Sequence, residues 1–226
     1  NIGGPQKSLL SLLYKLDYNK FNISLLILSG EGSLINHLPK NVRLIQVPPE
    51  IRYATLTPKR FIKNSFRMLL KKPILPIKAI IPVFAGVVRN NMTQKKQDYW
   101  LKVRNNLPKL NEKFDVAIGV SGGTSMMYIT DCVEAKKRVS WIRSDYRVLN
   151  RNNEIDRQYF EKMDEIISVS HLCKDIFIDL FPETSNKIRV MYNVLPFDMY
   201  KNIPVDTSMI KKEDNLYNLL TICRLD

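Results

Sequence analysis

Residues 138–150, RVSWIRSDYRVLN, place a guanidinium and a carboxylate two positions apart, directly after an apolar run. Arg143 offers an anion a fixed, forked set of donors. Asp145 can orient or deprotonate a hydroxyl. An ordinary surface ion pair or a helix cap would use the same two residues. The opening NIGGPQKSLLSLLYKLD holds a second candidate. Gly3 and Gly4 run into a helical pattern, and Pro5 suits a first helical position. A glycine turn that opens a helix has the form of a phosphate-binding corner. Such corners follow a buried strand, yet no strand comes before this one. Tight-turn formation is the plainer use of the glycines. His37 and His171 lack ligand partners at metal spacing, and no Asp-x-Asp pair occurs. Cys132, Cys173 and Cys223 lie far apart among apolar neighbours, which predicts buried, reduced thiols of a cytosolic protein.

Strands and helices must alternate to position these residues. FNISLLIL (21–28) and NVRLIQV (41–47) read as strands, with SGEGS as a turn and LINHLP as a short helix between them. FDVAIGV (114–120) runs into SGGTS and the helical MMYITDCV. RVSWIR (138–143) is a strand, DEIISVS (164–170) leads into the helical HLCKDIFIDLF, and KIRVMYN (187–193) closes the series. This rhythm predicts βαβ units in an α/β fold with a doubly wound, mostly parallel sheet. Ligands of such sheets bind outside the carboxyl ends of the strands. The loops to watch are therefore Gly3-Gly4, residues 121–125, Ser144 onward, Ser170 and Asn193. Ser170 suits an N-cap, and Asn193 a turn.

A chain of 226 residues, 45% of them hydrophobic, can bury a proper core. Its net charge of +13 suggests an anionic partner: nucleic acid, a membrane surface or a phosphorylated ligand. The charge concentrates where the rhythm breaks, between about Pro48 and Asn111. From Lys59 to Arg104 there are twelve basic residues, and Asp98 is the only acidic one. Apolar residues interleave at helical spacing, as in Phe66, Leu69 and Leu70. Pro73, Pro76 and Pro82 divide the stretch into short helices. Such helices can lie in a membrane interface with lysines on anionic head groups. They can equally pack on the domain by their apolar side and leave a solvated basic face. No recognisable nucleic-acid module accompanies the charge. No apolar run approaches the ~20 residues that span a bilayer, and no signal-peptide pattern is visible.

Six pieces resemble, in order, the N-terminal half of family 4 glycosyltransferases, which have the GT-B fold of two facing Rossmann-like domains. They are GGPQKSLLSLLYKLD, FDVAIGV, RVSWIRSDY, DEIISVSHLCKDIFIDLFP, KIRVMYNVLP and LLTICRLD. Together they cover most of the chain outside the basic stretch. The pattern is most similar to bacterial enzymes that build capsular, exopolysaccharide or related cell-surface glycans. The resemblance implies a Rossmann-like acceptor-side domain over 1–195 with a basic helical insertion at about 48–111. It also implies an interdomain linker over 196–215 and the first strand of a donor-binding domain over 216–226.

The resemblance assigns roles as well. Gly3 and Gly4 match a turn at the interdomain cleft, near the donor's phosphates, that follows the first strand of the domain. The chain is thus expected to begin just after a strand in the middle of its sheet. Arg224 matches an arginine that contacts the donor diphosphate, with Cys223 where glycine is usual. Arg143 and Ser144 are expected to bind the acceptor, and Asp145 to act in catalysis. Many relatives carry histidine where Arg143 stands, so that histidine's role does not carry over. The implied activity is retaining transfer of a sugar from a nucleotide-sugar to a glycan or lipid-linked acceptor, without metal or other cofactor. The place is the cytoplasm, peripherally on an anionic inner membrane face. The remaining donor-site residues would lie beyond Asp226, so this chain alone is expected to be inactive. A non-catalytic sugar- or nucleotide-binding module is the alternative, and a basic nucleic-acid-binding protein a weaker one.

Overall fold

The structure is a computed structural model that describes residues 3–32, 34–55, 58–79 and 91–195. The chain divides into two units, Asn1–Val194 and Leu195–Asp226. The expected linker, the expected donor-domain strand with Arg224, and Pro82 all lie outside the described residues.

Within the first unit, α1 (Gly4–Lys15) leads to β1 (Ser24–Leu26) and β2 (Arg43–Ile45). Four helices follow: α2 (Pro49–Ala54), α3 (Pro58–Lys71), α4 (helical over 74–79) and α5 (Met92–Val103). The chain then alternates as β3 (Lys113–Val120), α6 (Gly123–Cys132), β4 (Glu134–Ile142), α7 (Asn153–Phe160), β5 (Glu165–Ser168), α8 (His171–Leu180) and β6 (Ile188–Val190). Every strand pair is parallel, so each connection between paired strands must cross over; α6, α7 and α8 do so in the larger sheet, and a 3-10 turn, Ile35–His37, lies between β1 and β2.

The α/β class and parallel pairing expected from sequence are present, but as two sheets rather than one. β1 pairs with β2, and β3 to β6 form a four-stranded sheet in chain order. β1 and β2 are also shorter than their apolar runs, and among the described residues β1 pairs with β2 alone. β4 is longer than its apolar run. Its first residues are Glu134, Ala135 and Lys136, and the ion pairs Lys113–Glu134 (2.8 Å) and Lys136–Asp115 (2.6 Å) run across β3 and β4. The charges hide a strand that is nonetheless paired.

Packing fixes the sheet's helical cover. Gly119 lets α6 lie directly on β3: a Cβ there would meet the Met126 backbone at 3.0 Å. The buried face of α6 includes Met126, Met127, Ile129 and Cys132. Burial pushes the Cys132 thiol up to about 12, so it is an inert, protonated core residue. Trp100 of α5 sits in the same core, where its indole donates to Asp131 (2.8 Å).

Pro76 does not end a helix, as its sequence position suggested. It lies in the first turn of α4, where a missing N–H costs nothing. Pro73 does separate α3 from α4. The apolar stripe of α3 turns outward: Phe66 is 74% and Leu70 77% exposed.

Candidate functional site

Register places the loops. Val120, Trp141, Ile167 and Arg189 form one cross-sheet row. Each strand of the four therefore ends within three residues of that row, and the loops after them form one rim.

Arg143 stands at the end of β4 on this rim. Its guanidinium lies over the Trp141 ring, 4.4 Å from the centroid. Nη2 donates to Asn193 Oδ1 at 3.3 Å, while Nε and Nη1 are buried without any hydrogen-bond partner. No carboxylate among the described residues pairs with it, and burial alone pulls its pKa below the ordinary arginine value. An unneutralised, partly desolvated guanidinium is costly to fold around unless an anion completes it.

Asn193, just past β6, connects Arg143 to α1. Its Oδ1 also accepts from Ser8 Oγ at 2.8 Å. Ser8 is one helical turn beyond Gly4, a rise of about 6 Å. The Gly3-Gly4 turn and Arg143 therefore share one corner of the rim. Gly3 has φ −112° and ψ 170°, an extended backbone open to any residue. Chain neighbours aside, a Cβ on Gly4 would touch nothing, and one on Gly3 would meet the end of the flexible Gln6 side chain at 2.9 Å and Pro5 Cδ at an ordinary 3.6 Å. The Gly3 position therefore does not demand glycine, whereas Gly4, helical and directly before Pro5, avoids the clash a Cβ would make with the proline ring. What the pair supplies is backbone without side chains at a helix N-terminus, where the Gly3 N–H donates to Gln6 Oε1 (3.1 Å) and Pro5 is next in line.

Asp145 points elsewhere. Its Oδ1 accepts from the Arg147 N–H (2.9 Å), and the Arg147 guanidinium bonds both carboxylate oxygens, the closest at 2.7 Å. These bonds hold its pKa below the usual carboxylate range. A carboxylate so held is an ion pair and turn-former, with low proton affinity. Ser144 between them is exposed.

The rest of the loop is anchored deeply. Tyr146 is buried among Phe160, Phe177 and Phe181, with ring centroids 5.4–5.6 Å away in edge-on geometry. Its hydroxyl donates to Asp156 Oδ2 (2.6 Å). Arg151 bonds both oxygens of the same carboxylate at 2.5 and 2.6 Å, and Gln97 of α5 donates to it at 2.9 Å. Burial, and then the Asp156 charge, push the Tyr146 hydroxyl well above its ordinary range, so it stays a donor.

The loop after β3 carries the most unusual backbone. Ser121, Gly122 and Gly123 all have positive φ (79°, 59° and 56°). Gly122 at ψ −152° occupies a region only glycine tolerates. Ser125 Oγ ties the loop to the carbonyls of Val120 and Gly122, each at 2.7 Å.

Of the residues singled out from sequence, Arg143 is linked through Asn193 and Ser8 to the helix that Gly3 and Gly4 open, Ser144 and Asp145 follow it on its loop, and Arg224 is outside the described residues. Ser170 is an N-cap, accepting from the Cys173 N–H at 3.1 Å. Ser8 was missed. Its one signal was a buried-side serine inside a leucine stripe. Arg151 and Asp156 were missed too, because four residues, three of them polar, separate partners that only the loop's fold brings together. Among the described residues, no group of three or more His, Cys, Asp or Glu could hold a metal ion. No protein-family model matches the chain, and no curated protein matches it.

Proposed function

We propose that this chain is the Rossmann-like, acceptor-side domain of a retaining glycosyltransferase that moves a sugar from a nucleotide-sugar to a glycan or lipid-linked acceptor in cell-surface polysaccharide synthesis. The observation that carries the reading is Arg143: a half-buried, stacked guanidinium at a strand's carboxyl end that no described carboxylate pairs, linked through Asn193 to a glycine-opened helix. An acceptor phosphate would displace the exposed Asn193 oxygen and supply the missing countercharge. The exposed Ser144 lies next to that place. The bare backbone of Gly3 and Gly4 lets the donor's diphosphate approach the α1 N-terminus. Arg224 is proposed as its second contact.

The test is sugar transfer by the full-length protein from a panel of nucleotide-sugars to a phosphorylated lipid acceptor. Arg143→Ala should raise the acceptor KM at least about 10-fold with little change in kcat. Gly3→Ala, at an extended backbone that any residue adopts, should weaken the donor instead. No transfer from any donor would sink the reading. A non-catalytic binding module is favoured by one observation, the capture of Asp145 by Arg147; it predicts binding without turnover.

Membrane attachment belongs to the same proposal. Among the described residues, no helix is long and apolar enough to cross a membrane. Yet Phe66, Leu69, Leu70, Ile74 and Ile77 are exposed on α3 and α4, beside the exposed Lys63, Arg67, Lys71 and Lys72. Each cation is worth about 1 kcal/mol near an anionic surface. Co-sedimentation with anionic vesicles should weaken with salt and with the double variant Lys71→Glu, Lys72→Glu. Equal binding to neutral vesicles would count against it.

A further inference from the structure

The two tryptophans of this chain are both buried, and they differ in one bond. Trp100 donates its indole N–H to Asp131 (2.8 Å). Trp141, 2% exposed, has no acceptor for its own. Among the described residues, five buried side-chain nitrogen or oxygen atoms lack a hydrogen-bond partner, and three of them sit on one stacked pair: Trp141 Nε1, Arg143 Nε and Arg143 Nη1. Buried polar atoms are nearly always bonded, so three orphans on two side chains in contact need a cause. The other two are the hydroxyls of Tyr128 and Ser140, which can donate or accept. The three nitrogens can only donate.

The strand pleat accounts for the pairing. Residues two apart leave a strand on the same face, and the Arg143 guanidinium accordingly lies over the Trp141 ring, 4.4 Å from its centroid. Gly119, in register with Ser140, marks the other face, where α6 packs. On the face of Trp141 its neighbours in register are Val120 and Ile167, whose side chains offer no acceptor. The acceptor that does reach the pair, Asn193 Oδ1, is shared between Arg143 Nη2 and Ser8 Oγ. Nothing is left over for the indole.

A water molecule can accept from one of these nitrogens, but it leaves the guanidinium charge uncompensated. An oxyanion brings acceptors and countercharge together. Because the guanidinium lies over the ring, its N–H groups and the indole N–H stand at different levels. The free oxygens of a tetrahedral phosphate also stand at different levels, so one phosphate can accept from both residues.

We propose that the indole N–H of Trp141 donates to the acceptor's phosphate, so that Trp141 and Arg143 form a single oxyanion cradle in which the tryptophan is a binding residue and not only a platform. The inference rests on the reading of Arg143 as the acceptor's phosphate site and adds to it a second donor.

Indole N–H signals of nitrogen-15-labelled protein test it, with Trp141→Phe used to assign the two. Inorganic phosphate should shift the Trp141 signal in a saturable manner and leave that of Trp100, already bonded to Asp131, in place. A short-chain prenyl phosphate should do the same. Replacing Trp141 by benzothienylalanine keeps the ring's size and puts sulfur where the N–H was. Affinity for inorganic phosphate should then fall at least about 5-fold, as for a lost hydrogen bond to a charged group. The melting temperature without phosphate should hold or rise, because an unsatisfied buried donor has been removed. Phosphate that binds through Arg143 but leaves the Trp141 signal unmoved, or that binds the sulfur analogue as tightly as the parent, overturns the proposal while the Arg143 reading stands. Failure of both phosphates to bind overturns the two together. A Trp141 signal moved by uridine diphosphate but not by the prenyl phosphate assigns the cradle to the donor and overturns the proposal as well.

Discussion

Arg143 and Arg151 lie eight residues apart, and both guanidiniums leave bulk water, yet their surroundings are opposite. Arg151 meets a fully buried carboxylate through two bonds, and Tyr146 and Gln97 use up that carboxylate's remaining acceptor capacity. Arg143 has one long bond to an exposed amide oxygen and a tryptophan face beneath it. A paired buried charge fastens a loop to its core; an unpaired one at a rim is held ready for something that arrives later. The first makes the second possible. By pinning Tyr146 and residues 150–152, the Arg151 network fixes the loop that begins at Arg143.

The largest expected effect breaks the closed member of the comparison. Asp156→Ala strands Arg151 in the core, and removing one partner of a buried pair costs about 3–5 kcal/mol. At roughly 2–4 °C per kcal/mol for a unit of this size, the melting temperature should fall by at least about 6 °C. A smaller fall would show that water reaches Arg151 and that the network is not an anchor.

The open member should behave in reverse. Arg143→Met removes an uncompensated charge and keeps the contact with Trp141, so thermal stability should hold or rise slightly. Inorganic phosphate, used as the probe, should bind the parent chain in a salt-dependent manner and lose at least about 10-fold in affinity in the variant, the loss expected for a charge-assisted pair worth about 1.4 kcal/mol or more. A melting temperature that collapses in Arg143→Met would make this arginine structural after all, like its neighbour.

The smallest effect is expected at Asp145, which sharpens the contrast between a side chain held for use and one already in use. Asp145→Asn keeps an oxygen for the Arg147 N–H and loses only the charge. Turnover of the full-length protein should stay within about 3-fold, whereas a positioned acid–base group is worth about 10²-fold or more. The pH dependence follows from the depressed carboxylate pKa. The charge contributes its small stability above the unfolded value of about 3.9 and loses it as pH falls through the lower folded value. The melting difference between parent and variant should thus be present at neutral pH and vanish in acid. A difference that grows in acid would mean that Arg147 is not the partner.

The alternation of apolar runs with helical patterns announced parallel α/β architecture, and it put Arg143 and Asn193 at strand ends before any coordinates. Local chemistry was equally plain at Ser170, whose cap depends on residues three apart. β4 was only half visible, since Glu134 and Lys136 look like loop residues until β3 supplies Lys113 and Asp115 opposite them. The helix α7 was hidden in polar sequence because its buried residues, Ile155, Tyr159 and Phe160, are few and its N-cap Asn152 resembles a loop.

Sequence by itself determined the order of elements, the basic character of the helices between β2 and β3, and which loops share the carboxyl-end rim. Those depend on periodicity and on charge, which are local. Only tertiary structure decided that Asp145 is paired with a cation while no described carboxylate pairs with Arg143, that Ser8 and Asn193 meet across 185 positions of chain, and that α3 turns its apolar stripe outward. Partnership between distant side chains depends on which surfaces the packed core leaves facing one another. A residue's own type sets the chemistry it can offer; only the neighbours brought to it by folding determine whether that chemistry is already spent.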